Sequence, residues 1–529
     1  MRIALDPGTR ETPPRTQRLT EDGAVVGAPT TLPDLAAVAD LEREHAPRWV
    51  LARPGGYRRL LAAGVTVARA HDVELVEGLL VGADGCFGQP HGLAAAVARA
   101  AGRVPDPDPP LTEEGPPALF DTGPPRDELA DVVAVHAAQL RRLTAPGLRL
   151  LAAAESAGGL VAEEMRAHGL PWDAAVHDRL LTDLLGPRPV LGGRPPRLAA
   201  LADRIVEAFG DAGGRAVNPD SPADVLRAFA RAGLELGTTR AWELRRVEHP
   251  AVAPLLEYKE LARLHTAHGW SWLRTWVRDG RFHPEYVVGG VVSGRWATRG
   301  GGALQIPRAL RGAVRADPGW RLVVADAAQL EPRVLAALSG EYTLAPGEAD
   351  LYSTLAAREF DGDRGKAKIA LLAAMYGASA GSAGELLVRL RRRYPAAMGY
   401  VDHAAREGER GALVRSHLGR TCPPARPGDE EPSAARARGR FTRNFVVQAT
   451  AAEWALVMLA ELRLLLRESP VELVFFQHDE VLLHAPAELA PSVAQAVSTA
   501  ADTARRRLFG DTPVRFPLES RIVGGYDER

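Results

Sequence analysis

An uninterrupted apolar run at residues 322–325, Leu-Val-Val-Ala, stops on a carboxylate, Asp326. Runs of that kind read as buried strands, and the helical spacing of Leu330, Val334, Leu335 and Leu338 then takes over. Whatever this chain folds into must bring a strand end, an acid and a helix start to one place. Taken alone, Asp326 reads better as the N-cap of that helix, since Asp there accepts a backbone N–H. A second stretch changes the balance. Residues 471–486, VELVFFQHDEVLLHAP, hold β-type runs at 471–476 and 481–483 around Gln477, His478, Asp479 and Glu480. That pattern predicts a hairpin with two adjacent acids at its tip. Apolar strands on both sides predict a buried hairpin, where carboxylates without a cation are costly. With hairpin and strand side by side, three carboxylates converge, an arrangement that holds two Mg²⁺ ions about 4 Å apart for in-line phosphoryl transfer.

The chain is long enough for several domains at 529 residues, with 46% hydrophobic residues. No apolar run of bilayer length stands out and the start, MRIALDPGTR, lacks a signal-peptide core, so a soluble, cytoplasmic protein is expected. Cys86 and Cys422 match no metal spacing and are expected to be free thiols. The net charge of −1 gives no global argument for nucleic acid. Charge is unevenly placed, however: residues 388–443 carry 13 Arg against 6 Asp and Glu. Such a stretch tracks a phosphate backbone or forms a solvated helical face. Lysine is rare, with only Lys259, Lys366 and Lys368 in the whole chain.

Residues 1–145 read as a small α/β region. The strand-like segments RIAL, WVLA and TVARA alternate with Ala-rich helical stretches such as 93–101, and a Pro-rich linker follows at 104–118. Residues 145–280 read as mostly helical, with a helix at 148–169 closed by glycine and a turn and cap, NPDSP at 218–222, before another at 223–232. Residues 282–315 look extended and glycine-rich, including Ser293-Gly294-Arg295 and Gln305-Ile306-Pro307. Arg364, Lys368, Leu372 and Tyr376 recur every four residues and share a helix face, suited to a triphosphate and a base or to an ordinary amphipathic core helix. A Pro-, Gly- and acid-rich insert at 423–435 reads as a flexible loop.

DAAQLEPR at 326–333 resembles motif A of the family-A DNA polymerases, the DNA polymerase I type, whose usual form is DYSQIELR. QHDE at 477–480 resembles their motif C, usually VHDE, and RGKAKIALLAAMYG at 364–377 resembles motif B, usually R-x3-K-x3-F-x3-YG. Three motifs in family order are far more specific than any one. The resemblance implies an α+β multidomain protein with the right-hand palm, fingers and thumb polymerase fold behind an N-terminal ribonuclease H-like, exonuclease-like α/β domain. On this chain it places the exonuclease-like domain at 1–145, the thumb at 146–280, the palm at 281–349 and 446–529, and the fingers at 350–445.

The same resemblance assigns roles. Asp326 and Asp479 bind two Mg²⁺ ions with the Ala327 carbonyl as a further ligand, and Glu480 supports the charge of the site. Arg364 and Lys368 meet the phosphates of the incoming dNTP, Leu372 its sugar, Tyr376 the templating-base position, and Gln329 belongs to the nucleotide subsite. Glu331 blocks a ribose 2′-OH, so DNA is the expected product. Arg295, Asn444, Gln448 and His478 contact primed template DNA. The chain also departs from the pattern, with Ala327 for the usual Tyr, Pro332 for Leu, Leu371 for Asn and Leu372 for Phe or Tyr. In the N-terminal region only Asp6 remains of the exonuclease carboxylates, the other positions falling near Tyr57 or Arg58 and near Leu129 with Pro125 before it. The expectation is a monomeric DNA-templated DNA polymerase of replication or repair, without proofreading, without a preceding 5′-nuclease domain and without membrane attachment. A DNA-binding protein that kept the hand and lost synthesis is the main rival, and an active exonuclease a third reading.

Overall fold

The computed structural model describes residues 1–9, 11–109, 127–190, 192–210, 217–300, 302, 306–377 and 382–528. Contacts divide the chain into two compact units, one made of Met1–His168, Tyr286–Thr298 and Gly319–Ile522, the other of Gly169–Glu285, Arg299–Pro318 and Val523–Arg529. These limits do not follow the expected 146–280 boundary, because the Pro146–His168 helix packs inside the first unit.

The first unit begins with five strands, β1 (Arg2–Asp6), β2 (Arg15–Leu19), β3 (Val25–Thr31), β4 (Arg48–Leu51) and β5 (Arg69–Asp72), in the order β3-β2-β1-β4-β5. β1 pairs antiparallel with β2 and parallel with β4, so the sheet is mixed. The predicted strand at 66–70 lies three residues too early. β2 and β3 were not legible at all, β3 being exposed throughout and carrying no apolar alternation. The expected linker at 104–118 falls mostly on residues outside those described.

The Pro146–His168 helix ends at Gly169, as its sequence predicts. It lies so close to the 35-residue helix Pro432–Leu466 that a Cβ on Gly158 would sit 2.9 Å from Leu456 Cδ2. A side chain there would have to push Leu456 aside. The long helix begins inside the expected 423–435 loop, because Pro432 at its first turn starts rather than breaks it. It is also long and apolar enough to cross a bilayer, contrary to the reading of the sequence, yet 83% of its apolar window is buried within the protein. Near its C-terminal end Arg463, with 6% of its side chain exposed, pairs with Glu164 at 2.6 Å and donates to the Ala68 carbonyl at 2.8 Å and the Tyr57 hydroxyl at 3.2 Å. This fastens the long helix to the N-terminal sheet layer.

The second sheet of this unit is four-stranded, in the order Glu472–Gln477, Glu480–Pro486, Trp320–Ala327, Leu518–Val523. Val323, Ala325, Phe476 and Leu483 are buried from it into the main core, which the long helix completes with Trp454, Leu456 and Leu459. Arg333, 1% exposed, sits under the sheet and donates to the carbonyls of Ala328, Gly347, Glu348, Ala349 and Arg515. A single planar fork thus satisfies carbonyls from three separate stretches of chain.

The second unit is helical, with Ala174–Leu185, Pro196–Phe209, Pro222–Arg231 and Val252–His268 closing on Leu181, Ile205, Phe229 and Leu255. The predicted cap is Ser221, whose hydroxyl accepts Asp224 N–H at 3.2 Å. The expected extended stretch at 282–315 ends instead in a 3₁₀ helix, Arg308–Ala313. Gln305 lies outside the described residues, and Cys86 and Cys422 are both free.

Candidate active site

Asp326 is the penultimate residue of the Trp320–Ala327 strand and not a helix cap. The helix after it runs Leu330–Ser339, its N-cap is Gln329 in a left-handed conformation (φ 51°), and no side chain caps it. The register shows why an acid is there. Asp326 stands directly opposite Glu480 in an antiparallel pair, and Glu480 is opposite Gln477 across the hairpin. The two-residue turn between these strands is His478 and Asp479, with His478 at φ 59°. The Ala327 N–H donates to the Asp479 carbonyl at 3.0 Å and locks the tip against the strand end.

Directly opposed like charges destabilise a sheet unless something offsets them. Their effect is visible in the protonation of Asp326. Partial burial first, and then the carboxylates of Asp479, Glu480 and Glu519, push it up to about 6, although the residue as a whole remains exposed. Asp479 is raised too, by burial, with Arg295 opposing. Burial likewise lowers the His478 pKa, which keeps the imidazole neutral at physiological pH. The expected triad of Asp326, Asp479 and Glu480 is therefore brought together. Glu519, on the Leu518–Val523 strand, is a fourth acid that the sequence reading missed, because its strand has no apolar run to announce it. Among the described residues no group of three or more His, Cys, Asp or Glu is gathered at metal-holding geometry. The convergence is one of charge and not of a preformed coordination shell.

Beside the hairpin tip opens a cleft of about 150 Å³ lined by Arg295, Gln329, Glu331, Tyr352, Leu372, Met375, His478 and Asp479 among others. Arg295 pairs with Glu331 on one oxygen, and the Tyr376 hydroxyl donates to the other at 3.2 Å. Asn444 on the long helix turns its half-buried amide toward the same hydroxyl. Gln448 lies one turn further on, half-buried, and Ala451 and Ala452 of that helix line the cleft. Arg295, Glu331, Tyr376, Asn444 and the acidic hairpin thus form one connected surface.

Motif B forms the helix Arg364–Tyr376, capped by Asp363 and closed by Gly377 at φ 72°. Lys368 is exposed on it. Arg364 is not free: it pairs with Asp350 at 2.7 Å, and its guanidinium lies 5.4 Å from the centre of the Tyr352 ring. Gln329 accepts the Leu351 N–H at 3.0 Å and so anchors the start of the Leu351–Glu359 helix, which carries Tyr352. With the Asp350–Arg364 pair, that brace links motif A to motif B, and a sequence reading could not find it because nothing marks residues 350–352 as special.

In the N-terminal sheet Asp6 pairs with Arg15 at 3.0 Å, and the same guanidinium meets Asp127 at 2.7 Å. Tyr57 donates to Glu164 and Arg58 pairs with Glu163, while Leu129 is buried. Pro125 lies outside the described residues.

Three comparisons bear on this geometry. The model of DNA polymerase family A matches residues 197–522. A thermostable DNA polymerase I of Thermus thermophilus is 29% identical over 317 residues, covering 54% of this chain and 37% of that protein. The DNA polymerase I of Chloroflexus aurantiacus is 29% identical over 272 residues, 45% of this chain and 28% of that protein. The matched part is thus 28–37% of these relatives' own length. Among solved structures, the POL domain of Pol1 from M. smegmatis, in complex with DNA primer-template and dNTP, superposes with a TM-score of 0.74 at 19% identity over 99% of this chain and 95% of that one. That likeness concerns the fold.

Proposed function

We propose, from the premise that this chain belongs to DNA polymerase family A, that it is a DNA-templated DNA polymerase adding dNTPs to a primer 3′-OH. The observation that carries the reading is the register pairing of Asp326 with Glu480, with Asp479 at the adjoining tip and the cleft beside it. In this reading the four-stranded sheet is the palm, the Arg364–Tyr376 helix belongs to the fingers, and the helical second unit serves as thumb. The mixed five-stranded sheet supports a ribonuclease H-like N-terminal domain.

The donor chemistry fits Mg²⁺, since Asp326, Asp479 and the Ala327 carbonyl offer only hard oxygen atoms, and a divalent cation offsets both the burial and the neighbouring acids that raise Asp326. Two Mg²⁺ ions held there would activate the primer hydroxyl and stabilise the leaving pyrophosphate. The remaining work belongs to side chains. Arg364, held by Asp350 yet half exposed, and the exposed Lys368 are the cations that meet the triphosphate. Glu331, pinned between Arg295 and Tyr376, stands as a rigid block to a ribose 2′-OH. The Asn444 amide beside Tyr376, with Gln448 and Arg295, meets minor-groove acceptors, which all correctly paired bases share. His478, neutral, contacts the primer terminus.

The N-terminal acids favour loss of proofreading. Asp6 and Asp127 are neutralised by the Arg15 guanidinium, so the charge that would draw a divalent cation is already met from within the chain. We place the protein as a cytoplasmic monomer acting in replication or repair.

Primer extension on a primed DNA template with Mg²⁺, with dNTPs or rNTPs, tests the reading beside Asp479→Ala and a chelator control. Extension with dNTPs that disappears in both controls is the expected result. A folded protein that binds primed template and extends nothing would overturn synthesis and favour the binding-protein reading, to which Leu371 and Leu372 would then point as the cause.

A further inference from the structure

The side chain that the family uses to pack on the nucleotide sugar is here Leu372, which cannot stack. An aromatic ring nevertheless lines the same cleft. Tyr352 and Leu372 both line it with Glu331 and Met375, and both are half-buried against the main core. We propose that Tyr352, from the Leu351–Glu359 helix, supplies the aromatic wall of the nucleotide subsite that position 372 has given up, and packs on the sugar of the incoming nucleotide. This rests on the polymerase reading above and goes beyond it in naming the residue.

Four observations place the ring. The helix that carries it starts under two independent braces, Gln329 accepting Leu351 N–H at 3.0 Å and Asp350 accepting Tyr352 N–H at 3.1 Å. Asp350 is in turn fixed by Ser353 at 2.6 Å and Arg364 at 2.7 Å. The Arg364 guanidinium covers one part of the ring from 5.4 Å, a cation–π contact that a Leu could not make. Burial first and the nearby Glu331 carboxylate second raise the phenol's pKa, so the ring stays neutral and lies within electrostatic reach of the residue that polices the sugar. A braced aromatic face beside an apolar Leu presents the flat, apolar surface that a deoxyribose ring packs against. Arg364, assigned to the phosphates, would sit at the edge of the same ring, so sugar and phosphate contacts are linked through one residue pair.

The test is equilibrium binding of a non-hydrolysable dNTP analogue to the complex of the full chain with primed template, together with KM and kcat for dNTP addition. Tyr352→Ala is expected to weaken analogue binding and raise KM about ten-fold with kcat changed less, and Tyr352→Phe to stay near wild type. Leu372→Phe added to Tyr352→Ala is expected to recover most of the loss, which a purely structural role of Tyr352 would not allow. Unchanged binding and KM in Tyr352→Ala would overturn the proposal, as would Tyr352→Phe being as impaired as Tyr352→Ala, since the hydroxyl would then be what matters. A wild-type complex that binds no analogue at all would instead overturn the polymerase reading on which it rests.

Discussion

Glu453 is fully buried on the long helix, and its carboxyl takes hydrogen bonds from the Ser416 hydroxyl and from Leu418 N–H at 3.0 Å. Burial is the dominant influence on it and, with Ser416, Arg420 and the backbone donors opposing, leaves the carboxyl at about 7 against an ordinary 4.5. The folded protein therefore holds this proton more tightly than the unfolded chain does. Stability from the group is fully present below about pH 4.5 and is lost as pH rises through 7, for a total of about 3 kcal/mol. Glu453→Gln keeps the acceptor and the shape but cannot ionise. Urea unfolding followed by the fluorescence of the neighbouring buried Trp454 at pH 5, 6, 7 and 8 should show the variant gaining on wild type by about 2 kcal/mol or more across that range. A difference between the two proteins that stays flat with pH, or that falls as pH rises, would refute the reasoning.

Gly408→Ala should destabilise by about 2 kcal/mol or more, since the added Cβ would lie 2.0 Å from Thr442 Oγ1 between the Pro395–Glu409 and Pro432–Leu466 helices. The urea midpoint measures it, and Thr442→Ala in the same chain should recover part of the loss. Arg333→Ala should cost about 3–5 kcal/mol because five carbonyls lose their donor at once. Arg333→Lys should recover little, because one compact ammonium cannot span them. Soluble yield and thermal midpoint would show this, and a fully stable Arg333→Lys would count against the fork geometry.

The central strand and the acidic hairpin were legible because unbroken apolar runs announce buried strands wherever they pair. Pairing itself was not. Whether Asp326 capped a helix or faced Glu480 depended on a register between residues more than 150 positions apart, and local pattern carries no such information. Glu519 was missed for a related reason: LESRIV alternates too weakly to read as a strand until a neighbour is beside it. The ion pair of Arg295 with Glu331 was hidden as well, since both residues were singled out but nothing in either segment says they meet. β3, wholly exposed, has no alternation of apolar and polar residues to mark it. The start of the long helix was hidden because its first turns are rich in Arg and Gly and its first residue, Pro432, falls in the stretch expected as a loop.

Arg463 reaches out of the long helix to Glu164, Tyr57 and a backbone carbonyl at residue 68, and it has almost no exposure to fall back on. A charge so enclosed cannot be left behind if its partners drift or are deleted. The N-terminal segment is therefore tied into the long helix by a charge whose partners lie on both sides of the contact. Removing the first sheet layer would strip the Arg463 guanidinium of Tyr57 and of the carbonyl at residue 68, so such a truncation is expected to destabilise the long helix as well.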